Sequence, residues 1–271
     1  MELLQAPEGD VVAEHRATLT HRIASVLFLV LPGAAVLVRT AQLPPSDDSR
    51  VPLAVCGAVL VALGVLAVWQ QNKSRVVLRA DGVERWGLRG KLWALRFPEM
   101  HELYYRVVKV RVGGLIGLLL PATLGNNIHI ALTDPNGKKH KLPINLKGMD
   151  TLAERISEQQ TDAQFPAARA KLDASEELRF GKSIALDKEK ISVGKLFGGM
   201  KSCPLSEIEK FSVENGALRI RQRGKTFAFA SVQTGGVPNV FLLLRLLDGL
   251  LGQKPPGLGQ DRDFSSKAYV G

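Results

Sequence analysis

The chain has 271 residues, 45% of them hydrophobic, with 36 Lys and Arg against 26 Asp and Glu, a formal charge of +10. That length leaves room for one or two domains beside an anchor, and two cysteines, Cys56 and Cys203, exclude a disulfide framework. The basic balance alone suits nucleic acid or an anionic membrane surface equally. The apolar residues gather in two N-terminal blocks, which favours the membrane and sets nucleic acid aside as a partner.

Residues 1–20 read as a polar N-terminal segment containing Glu2, Glu8, Asp10 and Glu14. A helical hairpin is expected over 21–72. Its first apolar block, Ile23 to Val38, carries no charge and is bracketed by Arg22 and Arg39. It is short for a bilayer core of about 30 Å, but arginines at its ends can snorkel. Pro32-Gly33 predicts a kink within it. The second block, Val51 to Trp69, is also free of charge and ends on an interfacial aromatic. Ala54, Ala58 and Ala62 form a small-residue stripe on which the first helix is expected to pack. A cleaved signal peptide is the competing reading of the first block. The acidic residues before it and the second block directly after it argue for the hairpin.

Orientation follows from the flanks. Arg16 and Arg22 precede the first block, and Lys73, Arg75, Arg79, Arg85, Arg89 and Lys91 follow the second. The connecting loop has Arg39 and Arg50 offset by Asp47 and Asp48. The positive-inside rule then places both termini in the cytoplasm of a multi-pass inner-membrane protein.

From Val76 onward the pattern changes to short alternating strands. Val76–Leu78 and Val83–Trp86 flank Ala80-Asp81-Gly82, and Gly87–Gly90 turns into Leu92–Phe97. His101–Val112 reads as a longer strand, and Asp134-Pro135-Asn136-Gly137 as a hairpin turn because Asn-Gly accepts positive φ. Met149–Gln159 closes the unit as a helix with Met149, Leu152, Ala153 and Ile156 on one face. A polar linker follows, and then the same order returns. A shift of 108 pairs Leu78 with Leu186, Val83 with Ile191, Gly90 with Gly198 and Glu99 with Glu207. Gly137 matches Gly224, and Met149, Leu152 and Ile156 match Val237, Val240 and Leu244. The expected organisation is two copies, 73–162 with an apolar insertion over 108–127, and 163–252, before a disordered tail at 253–271.

This layout resembles bacterial pleckstrin-homology-like (PH-like) membrane proteins, in which a two-helix hairpin precedes strands closed by a C-terminal helix. The strand-turn segments Pro98–Met100 and Ser206–Ile208 carry the likeness. The resemblance implies a membrane α-hairpin plus an α+β soluble region of tandem PH-like barrel or sandwich units. It also implies a cytoplasmic module at the membrane, with no particular ligand.

Two candidate surfaces stand out. Arg85, Arg89 and Lys91, with Lys138 and Lys139, are basic turn residues suited to lipid phosphate; a solvated basic face is the plain alternative. The uncharged stretch 113–125, with Leu115, Ile116, Leu118, Leu119 and Leu120, either dips into the bilayer or packs internally. Segment 240–251 is apolar nearly all round, so a second covered side is expected, from the other copy, a homodimer partner or the bilayer. No nucleophile, phosphate-loop or metal-ligand pattern is present in the sequence, so no catalytic residue, metal or cofactor is expected. The functional expectation is a non-enzymatic binding module for anionic lipid or a protein partner, with a scaffold subunit docking through 113–125 and 240–251 as the alternative.

Overall fold

The computed structural model describes residues 7–44, 47–109, 126–144, 146–194, 198–214 and 216–252. In chain order it has β1 (Val11–Arg16), α1 (Leu19–Ser25), a π-helical turn (Val26–Val30), α2 (Leu31–Ala41) and α3 (Arg50–Lys73). Then come β2 (Arg75–Arg79), β3 (Gly82–Gly87), β4 (Gly90–Arg96), β5 (Glu102–Lys109), β6 (Asn126–Thr133), β7 (Lys139–Lys141) and α4 (Met149–Asp173). The rest is β8 (Leu178–Phe180), β9 (Ile184–Leu186), β10 (Lys190–Gly194), β11 (Met200–Pro204), β12 (Ile208–Glu214), β13 (Ala217–Gln222), β14 (Ala228–Gln233) and α5 (Val240–Leu251). The chain is thus an α+β mixture of small antiparallel sheets with two apolar helices near its start.

Arg22–Ala41 and Arg50–Lys73 are long and apolar enough to cross a bilayer. Their side chains form no soluble core. On α3, Val51, Val55, Val59, Leu63, Val65, Leu66 and Trp69 are exposed, and only Gly57 and Gly64 are buried. Contiguous apolar surface on that scale is rare on soluble monomers.

The two helices meet through glycine rather than the expected alanine stripe: Ala58 and Ala62 are exposed. A Cβ on Gly33 would stand 2.9 Å from the Gly57 carbonyl oxygen, and one on Gly64 2.6 Å from Val30 Cγ2. Only a side chain of hydrogen permits that approach. The irregularity expected at Pro32 takes the form of the π-helical turn directly before it, where the Leu31 N–H donates to the Val26 carbonyl.

The N-terminal segment is more than a polar leader. β1 pairs antiparallel with β2, Glu14 opposite Val77 and Arg16 opposite Arg75, as the edge of a sheet ordered β1-β2-β3-β4. The helical hairpin is therefore an insertion between the first two strands, not a preface to the domain.

The strand order repeats. β8-β9-β10-β11 reproduces the first sheet, and Leu186 faces Ile191 as Leu78 faces Val83. β12-β13-β14 likewise reproduces β5-β6-β7. A 3₁₀ turn joins the two sheets in each copy, Phe97–Glu99 and Leu205–Glu207. Gly90 and Gly198 have φ of 107° and 92°, a region that other residues avoid, so the shared turn demands glycine in both copies.

The segment expected to be a polar linker is helical. α4 runs unbroken from Met149 to Asp173, so residues 162 and 163 lie within one helix. Its Glu, Gln, Ala and Arg content favours that state.

Contacts divide the chain into two units that do not follow the copies: Met1–Leu95 with Pro143–Leu152, and Arg96–Leu142 with Ala153–Gly271. The first unit buries Val76, Leu78, Val83, Leu95 and Leu146. The second has a core of Leu172, Ile184, Ile191, Phe211, Ile220, Leu243 and Leu246 among others.

Within the second unit α5 is covered on two sides. Val240, Leu242, Leu243, Leu246 and Leu247 are buried, and Phe241 meets Tyr105 of β5 edge-on with centroids 5.3 Å apart. Arg245 pairs with Asp162 and lies over the Phe165 ring. The start of α5 is fixed by Asn239, whose Oδ1 accepts from the Leu103 N–H at 2.7 Å and whose Nδ2 donates to the His101 carbonyl at 3.0 Å. The second covered side is supplied by the other copy.

Candidate functional site

Strand pairing brings Arg16 and Arg75 together at one end of the first sheet. The chain leaves β1 at Arg16, forms the helical hairpin, and returns through Lys73 into β2 at Arg75. The β3–β4 turn joins them around an open recess of about 370 Å³ lined by Arg16, Asn72, Lys73, Arg75, Trp86 and Leu88. The recess sits at the foot of the helical hairpin.

Glu14 organises its cations. The carboxylate accepts from Arg16 Nε at 2.7 Å and pairs with Arg75 at 3.3 Å. The Arg16 hydrogen bond, aided by Arg75, holds the Glu14 carboxyl below its ordinary range despite some burial. The Arg75 guanidinium also lies 5.0 Å over the Trp86 ring, a cation–π contact that fixes its direction. The Arg16 and Arg75 side chains remain 57% and 37% exposed, and Lys73 is exposed as well. Three cations against one carboxylate leave the recess positive, with an amphipathic ring in its wall. That combination can hold a phosphate whose remaining parts are apolar.

The sequence candidates Arg85, Arg89 and Lys91 belong to the same unit but do not converge. Arg85, opposite Val76, is half-buried, and burial pushes its guanidinium below the ordinary value. Lys91 donates to Glu84 Oε1 at 2.8 Å, and Glu84 is 1% exposed. Trp86 Nε1 donates to the same carboxylate at 3.1 Å, and Arg79 lies 3.3 Å away. Burial raises the Glu84 pKa, but the Lys91 and Trp86 hydrogen bonds and the nearby charges outweigh it, so the group stays below its ordinary range. Lys91 thus serves an internal carboxylate. Arg89 is exposed, in the β3–β4 turn.

The geometry can be set beside known sequences. A family model described as a family of unknown function, DUF6585, matches residues 5–255. The chain belongs to DUF6585. No curated protein matches it.

In this DUF6585 chain Lys138 and Lys139 belong to the second unit. They sit in the expected β6–β7 hairpin, where Asp134 Oδ1 accepts from the Asn136 and Lys138 N–H groups and Gly137 takes φ of 78°. Lys139 lies 4.8 Å over the Tyr104 ring. Leu115, Ile116, Leu118, Leu119 and Leu120 lie outside the described residues, as does the tail 253–271; the stretch 110–125 joins Lys109 to Asn126, which pair as the last rung of β5 and β6. Cys56 and Cys203 are free thiols. Among the described residues no three His, Cys, Asp or Glu gather as metal ligands.

Arg16, Lys73 and Arg75 enter the sequence reading only as topology signals. They become a cluster because β1 pairs with β2 across the whole helical insertion, and no local pattern announces that pairing.

Proposed function

We propose that this chain is a membrane-anchored, non-enzymatic binding module that works at the cytoplasmic face of a bacterial-type inner membrane. Its two copies act as PH-like domains and contact anionic lipid headgroups or a protein partner there. A four-stranded sheet, a three-stranded sheet and a closing helix in each copy support the PH-like reading. Basic flanks at Arg16, Arg22, Lys73 and Arg75 support cytoplasmic termini. The observation that carries the proposal is the insertion of both apolar helices into the first β-hairpin, which ties the rim of a sheet directly to the ends of the spans. A domain held that way works on what lies at the bilayer surface.

The test is the melting midpoint of the full chain reconstituted in neutral and in anionic vesicles, at low and high salt. A higher midpoint in anionic vesicles that shrinks with salt is expected. Equal midpoints throughout would remove the lipid half of the proposal and leave the partner half, to be pursued by photo-crosslinking in native membranes. The scaffold alternative has less surface than the sequence offers, because no apolar side chain of α5 is fully exposed.

A further inference from the structure

We propose that the recess formed by Arg16, Lys73, Arg75, Trp86 and Leu88 is a binding site for the phosphate of an anionic phospholipid in the leaflet where the two spans end. The inference rests on the membrane reading above and sharpens it to one site and one ligand class.

The first argument is position. Lys73 is the last residue of α3, and Arg75 opens β2 two residues later. If α3 spans the bilayer, the recess stands at headgroup depth without any docking step. Its ligand is then a lipid already in the leaflet, not a soluble anion. The exposed Leu88 and Leu92, 37% and 54% accessible on the same β3–β4 hairpin, suit contact with the acyl boundary.

The second argument is chemistry. Arg16 and Arg75 are held side by side by Glu14, Arg75 is braced against Trp86, and Lys73 has no ion pair among the described residues. A preset guanidinium pair with a nearby ammonium matches the oxygens of a phosphodiester. A volume of about 370 Å³ lies within the range of small-ligand clefts, about 300–1,000 Å³.

The third argument is the internal control. In the second copy the positions in equivalent register are Gly181 for Arg16, Ser183 for Arg75 and Gly194 for Trp86. The fold closes the same sheet without any of these side chains. Their presence only in the copy that bears the spans is therefore not demanded by folding.

The experiment uses the full chain in neutral detergent with equimolar dioctanoyl phosphatidylglycerol and dioctanoyl phosphatidylcholine, read by native mass spectrometry. The unaltered protein is expected to retain the glycerol lipid over the choline lipid by about tenfold. R16Q/K73Q/R75Q should bring that ratio to within about twofold, while K171Q/K182Q/K188Q, three exposed lysines of the second unit, should leave it unchanged. Should the triple variant melt early, K73Q alone serves, with an expected loss of about threefold. A selective protein whose selectivity survives R16Q/K73Q/R75Q, or K73Q where that is used, would overturn the site and leave the wider reading standing. No selectivity in the unaltered protein would overturn both the site and the lipid half of the wider reading. Displacement of the lipid by inorganic phosphate, against chloride at equal ionic strength, would overturn the lipid in favour of a soluble anion.

Discussion

The two copies share a sheet and differ at the one turn where they could most easily have been alike. In the second copy β8 and β9 are joined by residues 181–183; in the first, β1 and β2 are joined by residues 17–74, two helices and their loop. Loop closure entropy grows only slowly with length, so a β-hairpin tolerates a folded insertion if the ends of that insertion lie close together. An antiparallel helical pair brings its ends together, and here Gly33, Gly57 and Gly64 let the helices approach closely. The same register thus survives on both sides: Glu14 opposite Val77 in one copy, Arg179 opposite Ala185 in the other. The comparison separates what the fold needs, the apolar ladder and the turn glycines, from what one copy adds, the two apolar helices and a basic rim.

The sharpest way to break this comparison is to exchange the turns. Replacing residues 16–75 by Gly-Lys-Ser, the turn of the second copy at equivalent register, should yield a folded chain that leaves the membrane fraction entirely. Fractionation and a cooperative melt check it. A chimera that folds yet stays with the membrane would show that the helices are not the anchor.

Next in size come substitutions in the shared core. Leu243 is fully buried on α5, and Leu243→Ala should cost about 2–5 kcal/mol, read as a lower denaturation midpoint. Asn239→Ala removes hydrogen bonds to Leu103, His101 and Gln160 and places alanine at φ of 52°. At about 1 kcal/mol per bond and roughly 1–2 for the left-handed backbone, about 4–5 kcal/mol is expected.

How far these features could be read in advance depends on how local their causes are. The two long apolar helices, the Asn136-Gly137 hairpin and the repeat of Leu78 and Val83 in Leu186 and Ile191 are written in neighbouring residues or a fixed shift, and the structure has them. β1 was hidden because its partner lies beyond the entire helical insertion and its own sequence, Val11–Arg16, carries three charged or titratable groups. The helical extension of α4 was masked by polarity and by Pro166, although its propensity is high. The basic rim was hidden for the same reason as β1. Lys91 looked available for a ligand because nothing local reveals that Glu84 is buried beneath it.

A smaller effect tests that buried carboxylate, which the second copy replaces with Ser192, bonded to Ser202 at 2.8 Å. Glu84→Gln leaves Lys91 and Arg79 without their anion and should cost about 1–3 kcal/mol at neutral pH. The Glu84 pKa is lowered on folding, so its contribution is present above the unfolded carboxyl range and lost as pH falls through the folded value. The gap between the two proteins should therefore close on acidification below about pH 4.5, in paired melts. A gap that persists unchanged in acid would show that shape, not charge, makes Glu84 matter.

The smallest effect expected concerns Arg89, which sequence reasoning ranks with Arg85 and Lys91 as a phosphate ligand. It is exposed in the β3–β4 turn and is not among the residues lining the recess. Arg89→Gln should shift stability by no more than about 0.5 kcal/mol. It should lower the phosphatidylglycerol preference less than K73Q does, because a single exposed charge gives at most a screened, long-range attraction. The comparison to make is R89Q against K73Q under identical salt. Equal losses would mean that net charge along the first sheet recruits lipid and the recess geometry adds nothing. A loss confined to K73Q would tie recruitment to the end of the apolar helix α3, the feature that the second copy lacks.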